Sequence, residues 1–204
     1  MTKLSIFGNN NQMSCKINII QPAEFSGFFQ GTLSMFSFRS GKGPVTSKNH
    51  MEEAKQKCLQ EILPCNNSLT PIKYNFHYPI NFPHLSLSIS HTKNIGIIAL
   101  ANRKDHDSIG IDIEKSDRAI NPSTSKFFIN SNDDQLNLLD LWTKKEAAFK
   151  AESPISPSCK LLKDLSINDN QYFLKANKRH LGKVKTCLFN YEGDEFIISL
   201  ALSN

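Results

Sequence analysis

Two carboxylates stand two positions apart in the segment SIGIDIEK, residues 108–115, where isoleucine occupies every second position. Such alternation is typical of a β-strand with one buried face, so Gly110, Asp112 and Glu114 share the face opposite the isoleucines. Same-face neighbours lie roughly 6.6 Å apart. We expect the two acids to hold Mg²⁺, which takes one or two carboxylates with waters and phosphates, and Gly110 to leave room for a ligand. The commoner alternative is a half-buried strand with its acids in water.

A third carboxylate lies on a predicted helix, LNLLDLWTKKEAAFKAE, residues 136–152. Glu146 falls between Trp142 and Phe149 on the stripe expected to face the core, and Lys150 follows one turn later. A carboxylate on an apolar face must be paired, hydrogen-bonded or metal-bound, because its desolvation is otherwise too costly. The alternative is an ordinary i,i+4 ion pair, which contributes only about 0.2–0.5 kcal/mol.

A histidine follows a serine in the segment SISHT, as Ser90 and His91. The apolar runs LSLSIS and IGIIALA flank the segment HTKN, and this pattern predicts a β-hairpin. A lone histidine in a hairpin is more often a surface or hydrogen-bonded residue than part of a site, and both interpretations remain open.

These residues must be positioned by a mixture of helices and short strands. A helix is predicted from Ser47 to about Leu63, and four strand candidates follow the helix that contains Glu146. The run IIALA at 97–101 nearly reappears as IISLA at 197–201, which suggests a repeat. The prediction is an α+β fold of two similar lobes in one chain, a pseudo-dimer. Each lobe is a small antiparallel sheet packed by a long helix, with an N-terminal lobe at residues 1–104 and a C-terminal lobe at 105–204.

The composition limits the class of partner. The chain has 204 residues with 24 basic and 19 acidic side chains, so its net charge is +5, which favours an anionic partner. No basic run interleaved with aromatic residues is present, so we expect no nucleic-acid partner. The five cysteines show no paired spacing and indicate free thiols in a reducing compartment. No signal peptide or bilayer-length apolar run is seen, so no membrane association and a cytoplasmic location are expected.

Three segments in order, ISH, IGIDIEK and WTKKEAAFK, together resemble the 4′-phosphopantetheinyl transferases. The resemblance is to the larger, surfactin-synthetase-activating type, in which two similar lobes form one chain. Its signature is a G-[IV]-D strand followed by an aromatic-x-x-K-E-x-x-x-K helix, and it covers roughly residues 86–150. The sequence departs from the family in a shorter stretch between Asp112 and Glu146, in lacking a Gly-Lys-Pro loop before the hairpin, and in having AESPISP where the family has a GKGL-like loop.

The resemblance implies that the chain transfers the phosphopantetheine arm of coenzyme A to a serine of an acyl or peptidyl carrier protein and releases 3′,5′-ADP. Asp112, Glu114 and Glu146 would hold Mg²⁺ against the diphosphate. Glu146, or a metal-bound water beside it, would take the serine proton. Lys150 would neutralise phosphate charge, so the catalytic residues would be Glu146, Lys150 and Asp112.

The resemblance further implies that Ser90 and His91 touch the phosphates of the coenzyme, together with Lys150. The chain is expected to be a monomer, because a pseudo-dimeric chain already contains both lobes. Basic residues of the N-terminal lobe are candidates for the coenzyme's 3′-phosphate: Lys42, Lys48, Lys55 and Lys73.

An acidic carrier protein suits a basic surface. The densest basic segment is KANKRHLGKVK, residues 175–185, although a solvated hairpin explains it as well. The family docks its carrier near the segment KSDRAINPSTSKFF, where Phe127 and Phe128 could make apolar contacts or pack in the core.

Two alternative functions remain. A relative that binds coenzyme A or a carrier protein without catalysis would explain the departures from the family pattern. A Mg²⁺-dependent nuclease would also use clustered acids and a lysine. However, the usual nuclease lysine stands two residues after the second acid, and position 116 is a serine here.

Overall fold

Two antiparallel sheets, each covered by a helix, form the frame of the molecule. The computed structural model describes residues 15–38, 44–63, 71–74, 78–134 and 137–204, with the backbone alone at 44–46. The first sheet has the strand order β1-β2-β4-β3. Its elements are β1 (Ile17–Ile20), β2 (Gly31–Ser37), α1 (Pro44–Ile62), β3 (Leu85–Thr92) and β4 (Ile95–Asn102), with a 3₁₀ turn at Ala23–Phe25.

The second sheet follows in the chain and has the order β5-β9-β8-β7-β6. Its elements are β5 (Ile109–Lys115), α2 (Pro122–Ser125), α3 (Leu138–Glu152), β6 (Leu165–Asn168), β7 (Gln171–Leu174), β8 (Arg179–Tyr191) and β9 (Asp194–Ser203), with a 3₁₀ turn at Leu162–Asp164. The α+β fold class predicted from the sequence is confirmed. No helix within the described ranges combines the length and apolar content needed to cross a membrane.

The two lobes share an order of elements. In the first, β2 is followed by α1 and the hairpin β3–β4, and β2 pairs with β4. In the second, β5 is followed by α3 and, after the short strands β6 and β7, by the hairpin β8–β9, and β5 pairs with β9. In both lobes the strand before the helix therefore lies beside the last strand of the lobe.

The similarity of IIALA and IISLA does not mark equivalent positions. Ala99 of β4 faces the apolar core between the two sheets. Ser199, one hundred positions later, faces the other way and donates a hydrogen bond of 3.0 Å to Thr143 of α3. Because side chains alternate along a strand, these two runs present opposite faces. The lobes thus resemble one another in their order of elements, and this repeat signal was wrong.

Three apolar clusters stack the elements in four layers. One cluster joins the facing sides of the two sheets and includes Ile97, Ile111 and Ile198. A second packs α3 on the outer face of the second sheet, and a third packs α1 on the outer face of the first. The layers therefore run helix, sheet, sheet, helix, and the three isoleucines of β5 lie in the central cluster as predicted.

Helix α3 lies unusually close to β5. A Cβ added to Gly110 would stand 1.9 Å from the carbonyl oxygen of Ala147, so the glycine makes room for the helix backbone. The expectation that Gly110 leaves space for a ligand was wrong for this reason. Ala147 and Ala151 are fully buried at this contact, whereas Glu146 is only half-buried.

The predicted core stripe of α3 is correspondingly displaced. Trp142, Glu146 and Phe149 are half-buried, because the small alanines turn their own face of the helix toward the sheet. The helix begins after Asn137, whose side chain accepts a hydrogen bond from the amide of Leu139 at 2.8 Å. Glu146 thus lies at the margin of the core, where a carboxylate remains accessible to a ligand.

Candidate functional site

The edge strands β3 and β5 lie against one another where the two lobes meet. Polar side chains at alternate positions of β3 reach β5, so the two edges are joined by side chains. The bonds are Ser88 Oγ accepting from the Ile111 amide at 3.0 Å, Ser90 Oγ donating to Asp112 Oδ1 at 2.7 Å, and Thr92 Oγ1 donating to Glu114 Oε2 at 3.2 Å. Two of the predicted metal ligands are therefore held by the hairpin that contains Ser90.

The ammonium group of Lys150 completes this cluster. Its Nζ lies 2.7 Å from Asp112 Oδ1, 3.0 Å from Ser90 Oγ and 3.1 Å from the carbonyl oxygen of Ile111. The Asp112 side chain is 6% exposed and that of Lys150 is 28% exposed. An ion pair this deeply placed requires additional hydrogen bonds to offset desolvation, and Ser90 and the backbone supply them. Ser90, Asp112 and Lys150, predicted from three separate segments, thus share one site.

The two oxygens of Asp112 differ in their hydrogen bonds. Oδ2 is buried and accepts no hydrogen bond from the residues described here, although a buried carboxylate oxygen normally has one. The pKa of Glu146 is raised mainly by burial and further by the negative charge of Asp112, while Lys150 and Arg118 lower it. Glu146 therefore lies within electrostatic reach of Asp112. A free buried carboxylate oxygen beside a second carboxylate fits an oxygen-preferring cation such as Mg²⁺.

The third predicted ligand, Glu114, is bound by basic and polar partners. Its Oε1 accepts a hydrogen bond from the guanidinium of Arg118, and Thr92 occupies Oε2. The guanidinium also lies over the Trp142 ring, 5.7 Å from its centroid. Within the residues that the structure describes, no three His, Cys, Asp or Glu side chains form a ready-made metal group. The strand carboxylates are instead neutralised by Lys150 and Arg118.

His91 extends the site along the hairpin. Its pKa is lowered by partial desolvation and by the positive charges of Lys150 and Lys55, and only Asp112 acts in the opposite direction. The imidazole is therefore neutral near pH 7 and can donate or accept a hydrogen bond there. His91 is thus within electrostatic reach both of the cluster around Asp112 and of Lys55 on α1.

The four lysines proposed for the 3′-phosphate are not equivalent. Lys55 forms an ion pair with Glu52, lies 5.0 Å from the centroid of the Tyr74 ring, and acts on His91 electrostatically. Lys48 and Lys73 are exposed. Lys42 lies outside the described residues. Of Lys48, Lys55 and Lys73, Lys55 is linked to the site, because its charge lowers the pKa of His91.

Sequence reasoning missed the role of Lys145, the lysine beside Glu146. Its side chain is fully buried, 2.7 Å from Asp133 Oδ2, and its Nζ donates to the carbonyl oxygens of Phe128 at 2.5 Å and Leu165 at 2.8 Å. These bonds fix the helix that carries Glu146 both to the segment before it and to the start of β6. Because Asp133 is twelve positions away in an irregular segment, no helical spacing in the sequence signals this pair.

The segments considered for a carrier protein differ in exposure. Phe128 is buried and packs edge-on against Trp142 with ring centroids 5.2 Å apart, so it belongs to the core. Phe127 is 62% exposed beside Lys126. In the basic segment 175–185, Lys175 and residues 177–180 lie on the surface. Phe127 alone of the two phenylalanines is therefore accessible to a partner.

The cysteines within the described residues are free thiols, as the sequence indicates. Burial raises the pKa of Cys58 and Cys187 to about 12, so these thiols remain protonated and inert near neutral pH. Cys65 lies outside the described residues. None of the four described cysteines thus belongs to the site.

Comparison with known proteins adds no assignment. No model of a known protein family matches the sequence, and no curated protein is significantly similar to it.

Proposed function

We propose that this chain is a Mg²⁺-dependent 4′-phosphopantetheinyl transferase that uses coenzyme A and an apo acyl or peptidyl carrier protein. The observation that supports it is the convergence of Asp112, Lys150 and Ser90. The buried Oδ2 of Asp112, which has no partner among the described residues, lies in electrostatic reach of Glu146. Bound Mg²⁺ supplies charge neutralisation for the diphosphate, and the site's oxygens are the donors such an ion prefers.

The proposed reaction moves one phosphoryl-linked arm between two oxygens. The serine hydroxyl of the carrier attacks the phosphorus that bears the pantetheine arm, and the bond from that phosphorus to the bridging oxygen of the diphosphate breaks. The bridging oxygen leaves with 3′,5′-ADP. Glu146 takes the serine proton, a role suited by its raised pKa, because a base with a pKa nearer the working pH accepts a proton more effectively.

The remaining side chains hold substrate groups. Lys150 contributes a fixed positive charge near the leaving phosphate, and Ser90 holds that ammonium group in place. His91 on the hairpin and Lys55 on α1, which act on one another electrostatically, would contact the phosphates of the coenzyme. The ion would be held by Asp112, Glu114 and Glu146, with Oε1 of Glu114 released from Arg118.

The test is mass spectrometry of an apo carrier protein incubated with coenzyme A, Mg²⁺ and this chain. We expect the carrier to gain the mass of phosphopantetheine. Asp112→Asn and Glu146→Gln are expected to lower the rate by at least about 100-fold, the size of a general-base or charge-stabilising contribution. Matched controls are Lys57→Met and Glu61→Gln on α1, since Lys57 pairs with Glu53 away from the cluster and Glu61 is exposed.

Other outcomes identify the alternatives. Binding of coenzyme A or carrier without mass gain over a panel of apo carriers would indicate a non-catalytic relative, in which Lys150 and Arg118 neutralise the acids permanently. Degradation of DNA or RNA that Asp112→Asn abolishes would indicate a nuclease. Unchanged transfer in Glu146→Gln would show that the base has been misassigned.

A further inference from the structure

Arg118 connects two features of the site that the sequence did not link. Its guanidinium pairs with Glu114 four positions earlier and lies over the ring of Trp142 on α3. The Arg118 side chain is 43% exposed, whereas that of Glu114 is 10% exposed. A short turn positions Arg118, because its backbone amide donates a hydrogen bond to the carbonyl oxygen of Lys115 at 3.0 Å. Arg118 thus covers Glu114 from the solvent side.

We propose that Arg118 is a positioning residue that holds Glu114 ready for a divalent cation and gives up this contact when the cation binds. The inference rests on the proposed function, because it concerns the same three acids. Thr92 already occupies Oε2 of Glu114, so Oε1 is the oxygen that a metal ion would take, and Arg118 now donates to it. The arginine and the ion therefore compete for one atom.

The two basic residues of the site differ in how firmly they are held. Lys150 is 28% exposed and has three hydrogen-bond partners: Asp112, Ser90 and the Ile111 carbonyl. Arg118 is more exposed, and its described contacts at the site are Glu114 and the face of an aromatic ring. Exposed ion pairs contribute little, so releasing Arg118 costs less than releasing Lys150. Lys150 therefore stays in place, and Arg118 is the group that moves.

Arg118 also prepares the site electrostatically. Its guanidinium, held between Glu114 and the ring of Trp142, places a positive charge beside this carboxylate before the cation arrives. When a divalent ion replaces it, the net charge of the cluster rises and the arginine becomes free for an anionic group at the rim.

The chain contains a built-in reporter of this exchange. Trp142 is its only tryptophan, and the guanidinium lies over its ring, so movement of Arg118 changes the surroundings of a single fluorophore. The experiment is a titration of the full chain with Mg²⁺ alone, without coenzyme or carrier. Tryptophan emission and the heat of binding are followed together.

We expect a saturable change of emission in the native chain. In Arg118→Met, Mg²⁺ binds at least about threefold more tightly and the emission change is lost, because the competing cation is gone. In Arg118→Lys, the charge remains but the planar contact with the ring is lost, so affinity stays within about twofold of the native value. The control is Arg103→Met, whose guanidinium lies 5.9 Å from the Tyr78 ring centroid in the other lobe.

Each outcome decides one question. An emission change that persists in Arg118→Met, or an unaltered affinity in that variant, overturns the exchange. Absence of Mg²⁺ binding to the native chain also overturns it, even where Arg118→Met binds the ion, because Arg118 would then not give up its contact. Urea unfolding of the variants shows that they are folded. The transfer assay is scored separately, so exchange without transfer refutes the proposed reaction and leaves the role of Arg118 intact.

Discussion

At the level of single residues, Asp112 has the most demanding surroundings. One of its oxygens accepts from both Ser90 and Lys150 at 2.7 Å, while the other is buried without a partner among the described residues. A half-satisfied buried carboxylate is unfavourable unless the free oxygen serves a ligand. Asp140 of α3 has the same asymmetry, so Asp112 is set apart by the convergence of Ser90 and Lys150 on its other oxygen and by its electrostatic effect on Glu146.

The titration of His91 tests the electrostatics of the site. We expect its pKa to lie below the ordinary 6.5, because desolvation, Lys150 and Lys55 all disfavour the imidazolium. Lys150→Met should raise this pKa and Asp112→Asn should lower it further, since the first removes a positive and the second a negative charge. Proton NMR of the imidazole ring across pH 5–8 measures it. A pKa unmoved by either variant would separate His91 from the cluster, and Lys57→Met is the control.

At the level of elements, α3 is fixed by two different contacts. Gly110 lets the helix backbone approach β5, and Lys145 ties the helix to Phe128 in the segment before it and to Leu165 at the start of β6 after it. Both contacts position Glu146 without touching a ligand. A strand glycine and a buried lysine thus set the geometry of a carboxylate on the margin of the helix.

The buried pair of Lys145 and Asp133 can be tested by a double-mutant cycle. Lys145→Met leaves the Asp133 side chain, which is only 2% exposed, without its counter-charge, so we expect the free energy of unfolding to fall by about 3–5 kcal/mol. Asp133 also accepts from the amides of Asn130 and Ile167, so Asp133→Asn in the same chain should recover part of this loss. Urea unfolding of the four forms gives the coupling energy.

A coupling energy near zero would mean that the two charges act independently. In that case the hydrogen bonds of Lys145 to the Phe128 and Leu165 carbonyls would account for its effect on stability.

At the scale of the whole molecule, the central apolar cluster unites the lobes. Ile97 of the first sheet and Ile111 and Ile198 of the second belong to one buried cluster. Neither sheet can expose its inner face without exposing that of the other. The two lobes are therefore similar in topology but inseparable in packing.

This shared core predicts a single unfolding transition. Trp142 reports on α3, and labelling of the buried Cys58 thiol, which donates to Ser34 Oγ at 3.3 Å, reports on α1. We expect both probes to give the same midpoint in urea, and Ile111→Ala to lower the free energy of unfolding by about 2–5 kcal/mol by both probes. Two separated midpoints would show that the lobes unfold independently.

The sequence predicted the fold class and some, but not all, of the residues that determine the geometry of the site. Regular alternation made β5 visible, with its isoleucines in the core. Asp112 was found from its place on an alternating strand, and Ser90 and Lys150 were added through the family resemblance of their segments. The role of Gly110 was predicted wrongly and those of Arg118 and Lys145 were missed, because each depends on contacts between elements that no local period encodes. The apparent repeat of IIALA and IISLA was wrong for a related reason. The two runs lie in different sheets, so their spacing of one hundred residues does not determine which face of each sheet their side chains occupy.

The seam between β3 and β5 has one further consequence. The serine and histidine come from one half of the polypeptide, and the acids and Lys150 come from the other. Neither half alone contains the whole cluster, so cutting the chain between Asn102 and Ile109 should separate Ser90 from Asp112 and Lys150 until the pieces reassociate. Any molecule bound across the contact between β3 and β5 would touch both halves, and its binding free energy would add to the free energy that holds the halves together.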